Sequence, residues 1–332
     1  MRKSLAICLA LLMSGVMAWS QESVSVYASS DEALAKQLFT QFEKETNIKV
    51  NFVRLSGGEA ISRMEAEKEN PQASVWFGGV GLDHISGKVK GLTTPYKSRV
   101  ADTIPAKFRD PENYWTGLYI GPLTFFTNNV RAKALGITAP TSWADLLKPE
   151  YKGLIRVSNP MTSGTAYTII TTLRYIYNGD EDKVFEYLKK LDKNVDQYTH
   201  SGAAYAASVA TGEIPIGIGF AHDQVKMLSQ GVDATITAPT EGSGYELAAM
   251  SMIKGGKDQV NGKKLYDWIL GKSSQDIFAT YFVLLVSPGA PRHPKALPMT
   301  SVNALVQDLQ WDGANKDRLV KRWNDEIGSL RK

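Results

Sequence analysis

Between Ser23 and Gly79 three short strand-like runs alternate with two helical ones, and this rhythm restricts the chain to an α/β architecture. Ser23 to Tyr27 alternates with the two-residue period of a strand. Leu34, Leu38 and Phe42 then recur at four-residue spacing, the apolar stripe of a helix ending near Asn47. Ile48 to Val53 is a second strand, a short helix passes through Ile61 and Met64, and Val75-Trp76-Phe77 is a third strand. Strands separated by helices predict a mainly parallel sheet.

Farther along, Trp115 to Asn128 is a long β-rich stretch. Gly121-Pro122 is expected to break it, because proline cannot donate to a central ladder. Helices are expected at Ser142 to Leu147, Thr165 to Tyr177 and Glu181 to Lys190, with strands at Ile214 to Phe220 and Ala234 to Ala238. The stretches near 118–124 and 238–246 predict two hinge crossings between two lobes. Residues 21–120 with about 246–286 would build one lobe, and 121–239 with about 287–332 the other.

Residues 1–20 have the order of a secretory signal: Arg2 and Lys3, an apolar stretch from Leu5 to Val16, and Ala18-Trp19-Ser20 before Gln21. They are too few and wrongly flanked to span a bilayer. The only cysteine, Cys8, lies among them, so removal leaves 312 residues without a disulfide and without a Cys/His metal cluster. Those residues hold 36 basic against 34 acidic side chains, scattered along the chain, which excludes a nucleic-acid footprint. The longest later apolar run, about Phe278 to Val286, is a core segment and too short to span. No G-x-S-x-G, H-E-x-x-H or paired C-x-x-C occurs, and Gly271-Lys272-Ser273 has Tyr266 where a P-loop needs its first glycine. No catalytic residue, metal site or cofactor is expected.

Serine-headed turns carry the remaining chemistry. Ser29-x-x-Glu32 and Ser56-x-x-Glu59 match the capping box, which competes with a binding reading. Ser163-Gly164-Thr165 heads a helical run with no acid before Asp180, and Ser201-Gly202 is followed by none before Glu213. Amides and a dipole without an internal counter-charge favour a bound anion, and Gly164 leaves its approach open. His222-Asp223 follows a glycine-spaced strand, where ligand groups gather, although Asp223 would also serve as a helix cap. Glu241 and Glu246 flank a glycine turn, and either suits ligand hydroxyls or amines, since carboxylates only accept.

Taken in order, Y-A-S-S near 27, S-V-W-F-G-G at 74–79, Y-W-T-G-L-Y-I-G-P at 114–122, P-T-S-W-A-D-L at 140–146, N-P-M-T-S-G-T-A-Y at 159–167 and E-G-S-G-Y-E at 241–246 resemble one family. It is that of the extracellular solute-binding proteins of ABC importers, long filed as ferric-iron binders. The resemblance covers essentially the whole exported chain. It implies a two-lobed periplasmic-binding-protein fold, a periplasmic monomer closing over one solute, and membrane permease subunits as partners. Ferric binders place adjacent tyrosines after the glycine-rich strand, where this chain reads Phe220-Ala221-His222-Asp223. The His-Asp pair resembles instead the branch that binds sugar phosphates or related phosphonates, such as 2-aminoethylphosphonate. That likeness implies that His222, Asp223 and Glu246 contact the organic part of a phosphorylated solute. It implies that Ser30, Ser56, Ser163, Gly164 and Thr165 hold the phosphate, with Gly57 and Ser201 beside them. Two other readings remain: a ferric binder, with a carbonate-like anion at Ser163 to Thr165 and oxygen ligands from Tyr167, Tyr198 and Tyr245, and a secreted phosphatase or phosphotransferase, for which the chain lacks a convincing nucleophile–base spacing.

Overall fold

A computed structural model describes residues 22–331; the signal expected over residues 1–20, and Cys8 with it, lie outside the described residues. The chain opens as β1 (Ser23–Ala28), α1 (Glu32–Thr46), β2 (Lys49–Arg54), α2 (Gly57–Ala66), β3 (Val75–Val80), α3 (Gly81–Val89) and the short β4 (Thr93–Thr94). Leu34, Leu38, Phe39 and Phe42 form the buried stripe of α1, and Asn47 ends it in the left-handed conformation at φ 59°. The second part holds β5 (Thr116–Asn128), α4 (Asn129–Leu135), β6 (Ile155–Ser158), α5 (Gly164–Ile176), α6 (Glu181–Asp192) and β7 (Val195–Thr199). It continues through α7 (Ala204–Ala210), β8 (Ile216–Phe220), α8 (Ala221–Ser229) and β9 (Ala234–Thr237). The chain then returns as β10 (Tyr245–Ile253), α9 (Gln259–Ile269), α10 (Lys272–Ala279) and β11 (Leu284–Leu285), and finishes with α11 (Leu309–Ala314) and α12 (Lys316–Glu326).

The strands lie in the order β2-β1-β3-β10-β5-β8-β6-β7. β1, β2 and β3 are parallel, as are β6, β7 and β8, whereas β10 and β5 run antiparallel to their neighbours. The sheet is therefore mixed: the strand–helix rhythm holds within each half, and the outgoing β5 and the returning β10 join the halves.

β5 is continuous through Gly121-Pro122, against the expected break. Pro122 is tolerated because it falls at a change of partner. Thr116 to Pro122 register with β10, and Leu123 to Thr127 with β8. The helix expected over Ser142 to Leu147 is only a 3-10 turn, Asp145–Leu147. Asp145 turns back to accept from the N–H and hydroxyl of Thr141, and Pro149 follows, so an α-helix does not propagate.

Two large hydrophobic cores lie on either side of this join. One gathers Leu38, Phe42, Phe77, Trp115, Met250 and Phe278; the other gathers Phe125, Trp143, Ile170, Phe185, Ile218 and Trp323. Trp323 places α12 with the second core, while α11 packs on α3 of the first half. The lobes also meet backbone to backbone. Gly58 N–H donates to Thr162 O at 3.0 Å, and a Cβ on Gly58 would lie 2.4 Å from Met161 O.

Gly58→Ala should therefore hold the lobes apart. Small-angle scattering should give a larger radius of gyration than the parent in the same buffer. Identical scattering curves would show that the contact does not set the lobe spacing.

Candidate functional site

Between the lobes lies a cavity of about 440 Å³, in the range of small-molecule sites. The ten residues read as contacts of a phosphorylated solute all line it: Ser30, Ser56, Gly57, Ser163, Gly164, Thr165, Ser201, His222, Asp223 and Glu246. Asp31, Arg54, Asp83, Tyr119, Lys226 and Tyr281 join them.

One end is built for donating. The helices α2 and α5 point their N-termini at it, and the N–H groups of Gly57, Gly164 and Thr165 have no partner within the described chain. Ser163 caps α5, accepting from Ala166 N–H, and Ser201 accepts from Arg54 Nη2 at 3.1 Å, so both hydroxyls keep their protons for another acceptor. Ser56 differs. Its N–H and its hydroxyl both donate to Glu59, so its single proton is engaged. Burial raises the Glu59 carboxyl, but the Ser56 hydroxyl and His200 outweigh it and hold the group down to about 2. His200 Nε2 lies 2.6 Å from Glu59 and so bonds one lobe to the other.

Three readings of these turns change. Asp31, which accepts from Leu34 N–H at 3.0 Å, caps α1; Ser29 instead accepts from Trp76 Nε1, so no capping box forms with Glu32. Ser201 does not cap a helix, since α7 begins only after Ala203. Gly164 makes room for protein as well as for solute: a Cβ there would meet Asp83 Oδ2 at 2.6 Å and Val80 Cβ at 2.9 Å.

The other end is built for accepting. α8 begins at Ala221 without a side-chain cap, so Asp223 stands in its first turn and makes no hydrogen bond within the described chain. Burial pushes its carboxyl up, with Asp31 adding and His222 opposing. His222 stacks on Phe220, meets the edge of Tyr119 and rests against Gly121, where a Cβ would lie 2.7 Å from Nδ1. Glu246, 5% exposed on β10, has one carboxyl oxygen without a partner. Burial raises it to about 7, with Asp223 adding and His222 opposing. Lys226 closes this end by reaching across the lobes to Asp31 at 2.7 Å. Burial raises the Asp31 carboxyl, yet Lys226 and the Leu34 N–H more than compensate and lower it.

The structure places the two glutamates apart. Glu241 accepts from the N–H groups of Trp143 and Ala144 in the second lobe, whereas Glu246 lines the cavity. The tyrosines of the ferric reading are placed elsewhere. Tyr167 donates to Asp312 O, Tyr198 to Asp192, and Tyr245 pairs with Pro122; none lines the cavity. Of the residues passed over in the sequence, Arg54 had a usable signal, a cation at the carboxyl end of a parallel strand. Lys226 lies one turn beyond His222 on α8. Tyr119 and Asp83 carry no local pattern that separates them from core neighbours.

An interlobe cavity of this kind, lined by turns from both halves of a mixed sheet, defines a two-lobed solute-binding protein. Residues 86–317 match the family of bacterial extracellular solute-binding proteins, and the chain belongs to that family. It superposes with a TM-score of 0.89 on the periplasmic binding protein AfuA of Actinobacillus pleuropneumoniae, a structure with exogenous fructose-6-phosphate bound. The two are 36% identical over 93% of this chain and 99% of that one. An uncharacterized Haemophilus influenzae protein is 34% identical over 98% of this chain and 97% of its own. A Salmonella typhimurium protein provisionally named as 2-aminoethylphosphonate-binding is 26% identical over 82% of this chain and 80% of its own.

The raised Glu246 has a sign that can be measured. Below its ordinary value of 4.5, folded and unfolded chains both carry the proton; as pH climbs toward about 7 the unfolded chain ionises first and stability is lost. Glu246→Gln should therefore be more stable than the parent by about 2–3 kcal/mol at pH 8 and near-equal at pH 4.5. Urea unfolding at the two pH values checks this, and a pH-independent difference would contradict it.

Proposed function

We propose that the chain captures a hexose phosphate, or a closely similar phosphorylated solute, and delivers it to the permease subunits of an ABC importer. One observation carries the reading: a single cavity has a donor end made of helix N-termini, hydroxyls and Arg54, and an acceptor end made of Asp223 and Glu246. A phosphoryl group only accepts at neutral pH, and sugar hydroxyls donate, so the two ends match the two parts of such a molecule. The fructose-6-phosphate in the AfuA structure supports the same assignment. In this reading Gly57, Ser163, Gly164, Thr165, Ser201 and Arg54 hold the phosphate, while Ser30, whose hydroxyl donates to Asp31 O at 3.3 Å, and Ser56, whose hydroxyl donates to Glu59, shape the turns around it. His222, Asp223 and Glu246 take the organic part.

The acidic end also suits an ammonium group, the feature that the Salmonella relative's name suggests. Glu246 favours hydroxyls, because burial raises its carboxyl, and a carboxyl that keeps its proton exchanges hydrogen bonds with a hydroxyl while attracting an ammonium only weakly. The protein acts as a carrier, with the solute bridging both lobes and stabilising the closed arrangement that a permease reads. Residues 1–20 direct it to the periplasm, where it works as a monomer without a cofactor.

Two substitutions separate the ends. Thr165→Asp puts a carboxylate into the first turn of α5, which the helix dipole tolerates and a bound phosphate does not. Calorimetry should show fructose 6-phosphate affinity falling a hundredfold or more, about 2.7 kcal/mol, with the melting temperature of the ligand-free protein unchanged. Normal binding in that variant would move the phosphate out of this turn. Asp223→Ala should weaken fructose 6-phosphate far more than inorganic phosphate; equal losses would refute the division of roles.

A further inference from the structure

Behind the donor end lies a group that an anion site would ordinarily exclude. Asp83, on α3, is 1% exposed and borders the cavity. A Cβ on Gly57 would fall 1.7 Å from its Oδ2 and one on Gly164 would fall 2.6 Å from it, so this oxygen is wedged between the first residues of α2 and α5. Oδ2 makes no hydrogen bond, and Oδ1 is bonded by Lys316 Nζ. Lys316 is the first residue of α12, 4% exposed, and does not line the cavity; its ammonium also faces the Tyr167 ring, 5.9 Å from the centroid.

A buried carboxylate beside two helix N-termini would cancel much of the positive potential they present. We propose that Lys316 is a positioning residue for anion affinity: by pairing with Asp83 it neutralises the carboxylate beneath the phosphate seat, leaving the amides and Arg54 to face the solute unopposed. The inference rests on the reading of the donor end as a phosphate seat. It gives the C-terminal helix a part in a site it never touches. It also explains why a lysine is buried on a helix whose other cations, such as Arg318 and Lys321, are solvated.

An ion pair that merely ties α12 to α3 makes a different prediction from one that sets the potential. Removing either partner of a structural tie should weaken binding in the same direction. Removing charges beneath an anion should act with opposite signs. Fructose 6-phosphate affinity, measured by calorimetry, should rise by about tenfold in Asp83→Asn and fall by about tenfold in Lys316→Met. The double variant should recover most of the affinity lost in Lys316→Met. Inorganic phosphate should follow the same pattern, since the effect acts on the charge.

Lys316→Met leaves a buried carboxylate unpaired and can fail to fold. The comparison of Asp83→Asn with the double variant then carries the test, because those proteins differ only at Lys316. The double should bind about tenfold more weakly; equal affinity would overturn the proposal, as would two single variants that both weaken binding. A parent protein that binds no phosphate ester would overturn the phosphate seat itself, and this inference with it. A parent that binds with same-sign variants overturns the inference alone.

Discussion

Everything at the centre of this molecule depends on how closely two backbone turns approach across the lobes. Gly58 meets the backbone of Met161 and Thr162 directly, tied by the bond from Gly58 N–H to Thr162 O, while Gly57 and Gly164 close on Asp83 Oδ2 between them. That contact brings the N-termini of α2 and α5 to one place, which neither lobe could provide alone. It requires glycine at the touching positions, since Cβ atoms there would overlap Asp83 Oδ2 and Met161 O. The His200–Glu59, Arg54–Ser201 and Lys226–Asp31 bonds surround it, so polar links between the lobes ring the cavity.

Burial is used differently at the two ends. At the donor end most charge is fixed and matched: Glu59 is held ionised by three donors, and Asp83 is paired. At the acceptor end Asp223 and Glu246 are desolvated without enough donors, and their carboxyls rise in consequence. A group left unsatisfied in a buried site costs stability on its own and returns it when a ligand hydroxyl arrives. The same condition occurs at Asp312, raised to about 7 by burial despite the Tyr175 hydroxyl, where α11 meets α3. That group lies outside the cavity and belongs to the packing of the C-terminal segment.

Much of this arrangement was legible in the residues. The i, i+4 stripe of α1 and the apolar run of β3 follow from local periodicity, and the acid-free start of α5 marks an open helix N-terminus. What escaped was set by contacts distant in sequence. Pro122 reads as a break because the strand's change of partner there depends on β8 and β10, about a hundred residues later. The Asp31 cap displaces the expected Ser29–Glu32 box because Trp76 takes the Ser29 hydroxyl. Glu241 and Glu246 look alike in E-G-S-G-Y-E, and only the N–H groups of Trp143 and Ala144 separate them. The Asp83–Lys316 pair spans more than two hundred residues and has no local signature at either end.

The central claim is that one cavity recognises a phosphoryl group at one end and hydroxyls at the other. It is tested most directly by titrating the unmodified protein in a calorimeter with fructose 6-phosphate, fructose, inorganic phosphate and 2-aminoethylphosphonate under one set of conditions. The account predicts submicromolar binding of the sugar phosphate, about −8 kcal/mol or stronger, much weaker binding of inorganic phosphate, and none of fructose. Tighter binding of 2-aminoethylphosphonate, or equal binding of fructose and its phosphate, would contradict it.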